Sequence, residues 1–145
     1  MSIAQIPTVL FNASVILAGL KSPSGGSGKL LSWVKQRKIS GVISEPILDE
    51  ILRNADKIGQ NREETQKNLL KLFEIHPEAK KDTVDKFKKI VVHLGDTHVL
   101  ASAYEAKVKF LVSLDQKHIL ALKDKVKDFK IVTPGELIVC VQRIS

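Results

Sequence analysis

Apolar residues in this chain fall in short runs of strand length that alternate with longer stretches of helical periodicity. Thr8 to Phe11 is an apolar run, and Ala13 to Leu20 continues as helix-compatible sequence with Asn12 or Ser14 at its cap. SPSGGSG at 22–28 reads as a flexible loop. Leu30, Leu31, Trp33 and Val34 then lie at helical spacing, and the basic residues Lys35, Arg37 and Lys38 close a second helix. Gly41 to Ser44 is a second strand, and Pro46 suits the first turn of the helix after it. In that helix Ile47, Leu48, Ile51, Leu52, Ala55 and Ile58 make one apolar stripe. Residues 62–74 are amphipathic and stop at His76-Pro77, and 78–89 are lysine-rich, so 59–89 reads as a helical insertion.

Ile90 to Leu94 is the third strand expected, followed by Gly95-Asp96 and a helix whose apolar positions include Val99, Leu100, Ala103 and Val108. Phe110 to Ser113 is a fourth strand ending at Leu114-Asp115, with a short helix expected from Gln116. A fifth strand covers Phe129 to Val132, and Pro134 opens a last helix. Strands that alternate with helices predict an α/β fold in three layers. Its centre is a mostly parallel sheet of about five strands with helices on both faces, and the whole chain, 1–145, is expected to form one domain.

Composition narrows the class. With 43% hydrophobic and 27% charged residues among 145, and mean hydropathy near zero, the chain is neither disordered nor fibrous. No apolar run approaches the ~20 residues that span a bilayer, and the first run carries Asn12 without a basic segment before it, so a cytoplasmic protein is expected. Cys140 is the only cysteine, which excludes an internal disulfide and a cysteine metal cluster. A surplus of 23 Lys and Arg over 16 Asp and Glu, net +7, favours a polyanionic partner, nucleic acid first.

The chemistry lies at the strand ends. Asn12, the Ser44 to Glu50 segment, Asp96 and Asp115 each follow a predicted strand, and the carboxyl ends of parallel strands converge on one edge. Carboxylates gathered there repel one another unless a cation binds them, and oxygen ligands favour Mg²⁺ or Mn²⁺. Taken singly, either aspartate is also a good helix cap, and periodicity does not choose Glu50 over Glu45 or Asp49.

The stretches VLFNASVILAGL at 9–20, ISEPILDEIL at 43–52, GDTHVLASA at 95–103 and FLVSLDQKHIL at 110–120, with the ending FKIVTPGEL, together resemble the PIN domain family of metal-dependent ribonucleases. The resemblance spans nearly the whole chain and is weakest over 59–89. It implies a central parallel sheet and RNA cleavage by metal-activated water. The family's acidic positions fall on Asn12, Glu50, Asp96 and Asp115, and its small hydroxyl position on Ser113. Ser14 is a further supporting position. Small members of the VapC kind are toxins held by an antitoxin, so the resemblance also implies an antitoxin-like protein partner, and a homodimer is expected from the amphipathic stretch 62–89, which offers a dimer face.

Asn12 departs from the pattern. It offers an amide oxygen but no charge where the family carries its first aspartate, and the loss of one anion weakens a Mg²⁺ site. Two outcomes follow: a weakened ribonuclease, or a catalytically inactive PIN module that binds RNA or a protein partner. GGSGK at 25–29 is not a phosphate-binding loop, because Pro23 and Leu30 stand where that pattern needs glycine and a hydroxyl residue. His76, His93, His98 and His118 lack zinc-ligand spacing, although His98 and His118 follow Asp96 and Asp115 closely enough to line the pocket. Lys29 and Lys117 are the candidate contacts to the RNA backbone.

Overall fold

A computed structural model describes residues 6–91 and 93–144. Its sheet comprises β1 (Thr8–Phe11), β2 (Ser40–Ser44), β3 (Glu74–His76), β4 (Phe110–Val112) and β5 (Lys130–Val132), in the spatial order β3-β2-β1-β4-β5. Every pairing is parallel. Val9, Leu10 and Phe11 of the central strand are all fully buried. Successive side chains on a strand point to opposite faces, so both faces of the sheet must be covered. The cover is α1 (Ala13–Lys21), α2 (Gly26–Lys35), α3 (Glu45–Asn54), α4 (Arg62–Leu72), α5 (Lys81–Lys88), α6 (Thr97–Glu105) and α7 (Pro134–Ile144). None of these is long and apolar enough to cross a membrane.

Strand order locates the site. From β1 the chain builds outward to β2 and β3 on one side, then returns to place β4 and β5 on the other. The junction of β1 and β4 is therefore the switch point of the sheet, where helices leave in opposite directions and open a crevice at the carboxyl ends. Phe11 pairs with Val112, so the next residues, Asn12 and Ser113, emerge side by side.

The third strand is at 74–76, within the stretch read from sequence as a helical insertion, and not at 90–94. As an edge strand it has one outer flank open, and its residues are exposed or half-buried. Its anchor is Phe73, which is buried and meets Phe11 edge-to-face at 5.1 Å. Gly41 makes room for that ring, since a Cβ there would stand 2.6 Å from it. Ile90 and Val91 pack partly buried against the core. Leu94 is 68% exposed and enters a 3-10 turn at Leu94–Asp96, while Val92 lies outside the described residues.

No α-helix starts at Gln116. The chain makes turns there and a 3-10 turn at Leu120–Leu122. Helix α2 begins at Gly26, earlier than its apolar stripe suggests. Gly28 in its first turn lies against Pro23, whose carbonyl oxygen would stand 2.1 Å from any Cβ. Gly28 of GGSGK thus serves close packing at a helix start. Helix α2 also ends early, at Lys35, where Arg37 takes a left-handed φ of 60°.

The last helix is fastened by a capping box. The Thr133 N–H donates to Glu136 Oε1 at 2.9 Å, and the Glu136 N–H donates to Thr133 Oγ1 at 3.1 Å. Lys123 adds a 3.1 Å contact to Glu136 Oε2. The Thr133 N–H, then Lys123, hold the Glu136 carboxyl below its ordinary range. A carboxyl depressed by folding adds stability above its unfolded pKa, and that stability is lost as pH falls through the folded value. Thr133→Ala, which removes the hydroxyl acceptor and keeps the N–H, is expected to cost about 1 kcal/mol, whereas the destabilisation caused by Glu136→Gln in urea melts should shrink as pH falls below about 4.5. A pH-independent difference would contradict this role for Glu136.

Candidate functional site

Asn12 stands at the N-cap of α1 with extended backbone angles, and its carbonyl accepts from the Val15 N–H at 3.1 Å. Its side chain does no capping. Instead Nδ2 donates to Ser113 Oγ at 2.9 Å across the β1–β4 junction. Ser113 is fully buried, and the same oxygen accepts from the Asp115 N–H at 3.0 Å. Nearby, Ser14 Oγ accepts from the Leu114 N–H at 3.3 Å. The two serines sew the start of α1 to the loop that carries Asp115. Both therefore support the site, by holding backbone and side-chain donors in place.

Asp115 uses its two carboxylate oxygens differently. Oδ1 accepts from the His118 N–H at 3.0 Å, which closes a turn, and Oδ2 lies 3.3 Å from His118 Nδ1. Asp96 reaches the same place from the 3-10 turn before α6. Its side chain makes no cap bond, and its Oδ2 lies 3.7 Å from His118 Nδ1. One ligand atom from each of Asp96, Asp115 and His118 lies within 4.8 Å of the others. The capping role that makes an aspartate ordinary is thus half true of Asp115 and untrue of the Asp96 side chain.

Glu50 is half-buried on α3, while Glu45 and Asp49 are exposed, a distinction that periodicity did not make. Glu50 is outside the tight group of three and shares a neighbour with it, His98. Burial depresses the His98 pKa below 6.5, and the carboxylates of Glu50, Asp96 and Glu78, in that order, partly offset the effect. His98 Nδ1 is buried without a hydrogen-bond partner. Glu78 is an acidic neighbour of the site that sequence reasoning did not nominate. It follows Pro77 in the stretch read as an insertion, and only the placement of β3 brings it to this edge.

The two lysines differ. Lys117 is exposed in the turn two residues after Asp115, at the acidic edge. Lys29 is exposed in α2, with Nζ 5.5 Å from the centre of the Trp33 ring. The start of that helix adjoins α7, since a Cβ at Gly26 would lie 3.8 Å from Pro134 Cβ. Trp33 and Phe73 are buried and serve the core.

The donor set suits a divalent cation. Among the described residues, Asp96 and Asp115 have no Lys or Arg ion-pair partner, and the imidazole of His118 is the basic group within 4 Å of both. Carboxylates left unneutralised at close range attract a hard cation, and oxygen donors match Mg²⁺ or Mn²⁺. Sequence spacing pointed to Asp96 and Asp115. The placement of the His118 ring between them rests on the Asp115 turn, which spacing does not reveal.

The PIN domain family model matches residues 8–117 of the chain. Similar solved structures include PAE2754 from Pyrobaculum aerophilum, at 19% identity and TM-score 0.61 over 94% of this chain and 96% of that one. VapBC2 from Rickettsia felis, bound to a DNA fragment from its promoter, matches at 14% identity and TM-score 0.60 over 87% and 98%. VapC20 from Mycobacterium tuberculosis, described as a sarcin-ricin loop cleaving toxin, matches at 10% identity and TM-score 0.53 over 75% and 91%. These likenesses establish the fold. No curated protein sequence matches the chain.

Ser113→Ala leaves the Asn12 amide and the Asp115 N–H without an acceptor at a fully buried position, and is expected to cost about 1–3 kcal/mol in guanidinium unfolding. A loss smaller than about 0.5 kcal/mol, the usual range for a neutral surface change, would show that the hydroxyl does not hold the junction together.

Proposed function

The chain belongs to the PIN domain family, and on that premise we propose that it is a toxin-like, divalent-metal-dependent endoribonuclease whose activity is weakened or lost because Asn12 stands in place of an aspartate. The observation that carries this reading is the convergence of Asp96 and Asp115 within one ion-sized group at the switch point of the sheet, with Asn12 at the same junction. In this reading Asp96 and Asp115 hold the cation, with Glu50 as the third acidic ligand. Such an ion supplies Lewis acidity toward water and a phosphate oxygen. The carboxylates orient the attacking water, and Lys117 and Lys29 draw the phosphate backbone against the repulsion of the acidic edge.

Asn12 changes that balance in one direction. Its amide nitrogen is committed to Ser113, and its remaining oxygen carries no formal charge. A negative charge ~4 Å from a dication is worth about 2 kcal/mol even at the dielectric constant of bulk water. The same feature favours the second reading, an inactive PIN module that retains RNA or protein binding. The resemblance to VapBC2 supports an antitoxin-like protein as the partner, and VapC20, a cleaving toxin, supports hydrolysis of an RNA target. A homodimer in a cytoplasmic setting completes the reading.

The test compares cleavage of single-stranded RNA by the native chain, Asn12→Asp, and Asn12→Asp combined with Asp96→Asn, each with Mn²⁺ and with excess EDTA. The expected order is weak or no cleavage by the native chain, a gain of about tenfold or more on Asn12→Asp, and loss in the double variant and in EDTA. Robust native cleavage that Asn12→Asp does not raise contradicts a weakened site. Cleavage that survives EDTA contradicts metal dependence.

A further inference from the structure

We propose that His118 is itself a ligand of the cation site, adding one imidazole to its carboxylates, and that the centre therefore takes Mn²⁺ in preference to Mg²⁺. This rests on the reading of Asp96 and Asp115 as metal ligands and adds a residue that the acidic pattern does not contain. His118 Nδ1 faces a carboxylate oxygen from each of two separate elements, Asp115 after β4 at 3.3 Å and Asp96 before α6 at 3.7 Å. Two donors ~2.1 Å from one ion stand about 3.0 Å apart when adjacent and about 4.2 Å apart when opposite. Both His118–carboxylate distances fall within that span.

The ring is held in place from more than one direction. The His118 N–H is bonded to Asp115 Oδ1, and the His93 ring lies 3.9 Å away at an interplanar angle of 59°. The next residue, Ile119, is fully buried and anchors the turn. The same ligand atoms have no Lys or Arg competitor among the described residues. Asn12 removes one anion from the junction, and an imidazole supplies a neutral donor at the neighbouring strand end. Exchange of a carboxylate for an imidazole moves a site away from Mg²⁺, which demands oxygen, and toward Mn²⁺, which accepts nitrogen.

The test uses the full native chain, stripped of metal and titrated with Mn²⁺, and reads nitrogen coupling to the bound ion by pulsed electron spin echo. The expected result is a nitrogen modulation that changes when the chain is labelled with ¹⁵N-histidine, persists in His93→Ala and His98→Ala, and disappears in His118→Ala and His118→Leu. The His118 variants should lose about tenfold or more in Mn²⁺ affinity and markedly less in Mg²⁺ affinity by calorimetry. Bound Mn²⁺ that depends on Asp96 but shows no histidine coupling would overturn the role of His118 and leave the carboxylate site standing. Failure of the native chain to bind Mn²⁺ at all would overturn both.

Discussion

The site depends on the parallel pairing of β1 with β4. Register along that pair places Phe11 against Val112, and the residues that follow cannot avoid meeting. Asn12 and Ser113 join through a 2.9 Å hydrogen bond, and the buried Ser113 hydroxyl then orients the Asp115 backbone. A shift of one residue in this pairing would turn every side chain of β4 to the opposite face. A slip would also displace the closely packed side chains of Val9 through Phe11 and Phe110 through Val112, all buried, from their fitted places. Hydrophobic burial in the sheet therefore sets the geometry of a polar site that contributes little to the core itself.

That geometry gathers negative charge without neutralising it. Asp96 and Asp115 come from opposite ends of the β4 crossover, one entering α6 and one leaving β4, and meet around a single imidazole. Glu50 and Glu78 add their fields at His98, whose burial opposes its charging. Carboxylates at such range cost free energy to hold together, and the fold maintains them with serine hydroxyls and turn hydrogen bonds in place of basic side chains. A cation-binding edge has this electrostatic form. Asn12 lowers the repulsion within it and, by the same amount of charge, the attraction for a dication.

Much of this was legible in the chain itself, and the exceptions have physical causes. β1, β2, β4 and β5 are central or well-buried strands, so their apolar runs announce them, and Pro46 and Pro134 mark the starts of α3 and α7. β3 did not announce itself because an edge strand needs few buried side chains, and its anchor Phe73 looks like the end of an amphipathic helix. Ile90 and Val91 misled for the converse reason, being apolar residues that cover the core without entering the sheet. Asp115 was readable as a strand-end acid, whereas Asp96 was singled out behind a strand at 90–94 that does not form and reaches the same edge from a 3-10 turn. His118 was readable as a residue lining the pocket but not as a ring set between the two aspartates. Glu78 and the Asn12–Ser113 bond were not readable, since each depends on which elements become neighbours.

In the proposed reading Asn12 stands at a cation-binding junction and weakens it by one charge. Calorimetric titration of Mg²⁺ into the native chain and into Asn12→Asp tests this most directly. The aspartate variant is expected to bind at least about tenfold more tightly. Equal affinities in two folded proteins would place residue 12 outside the cation's reach and contradict the account.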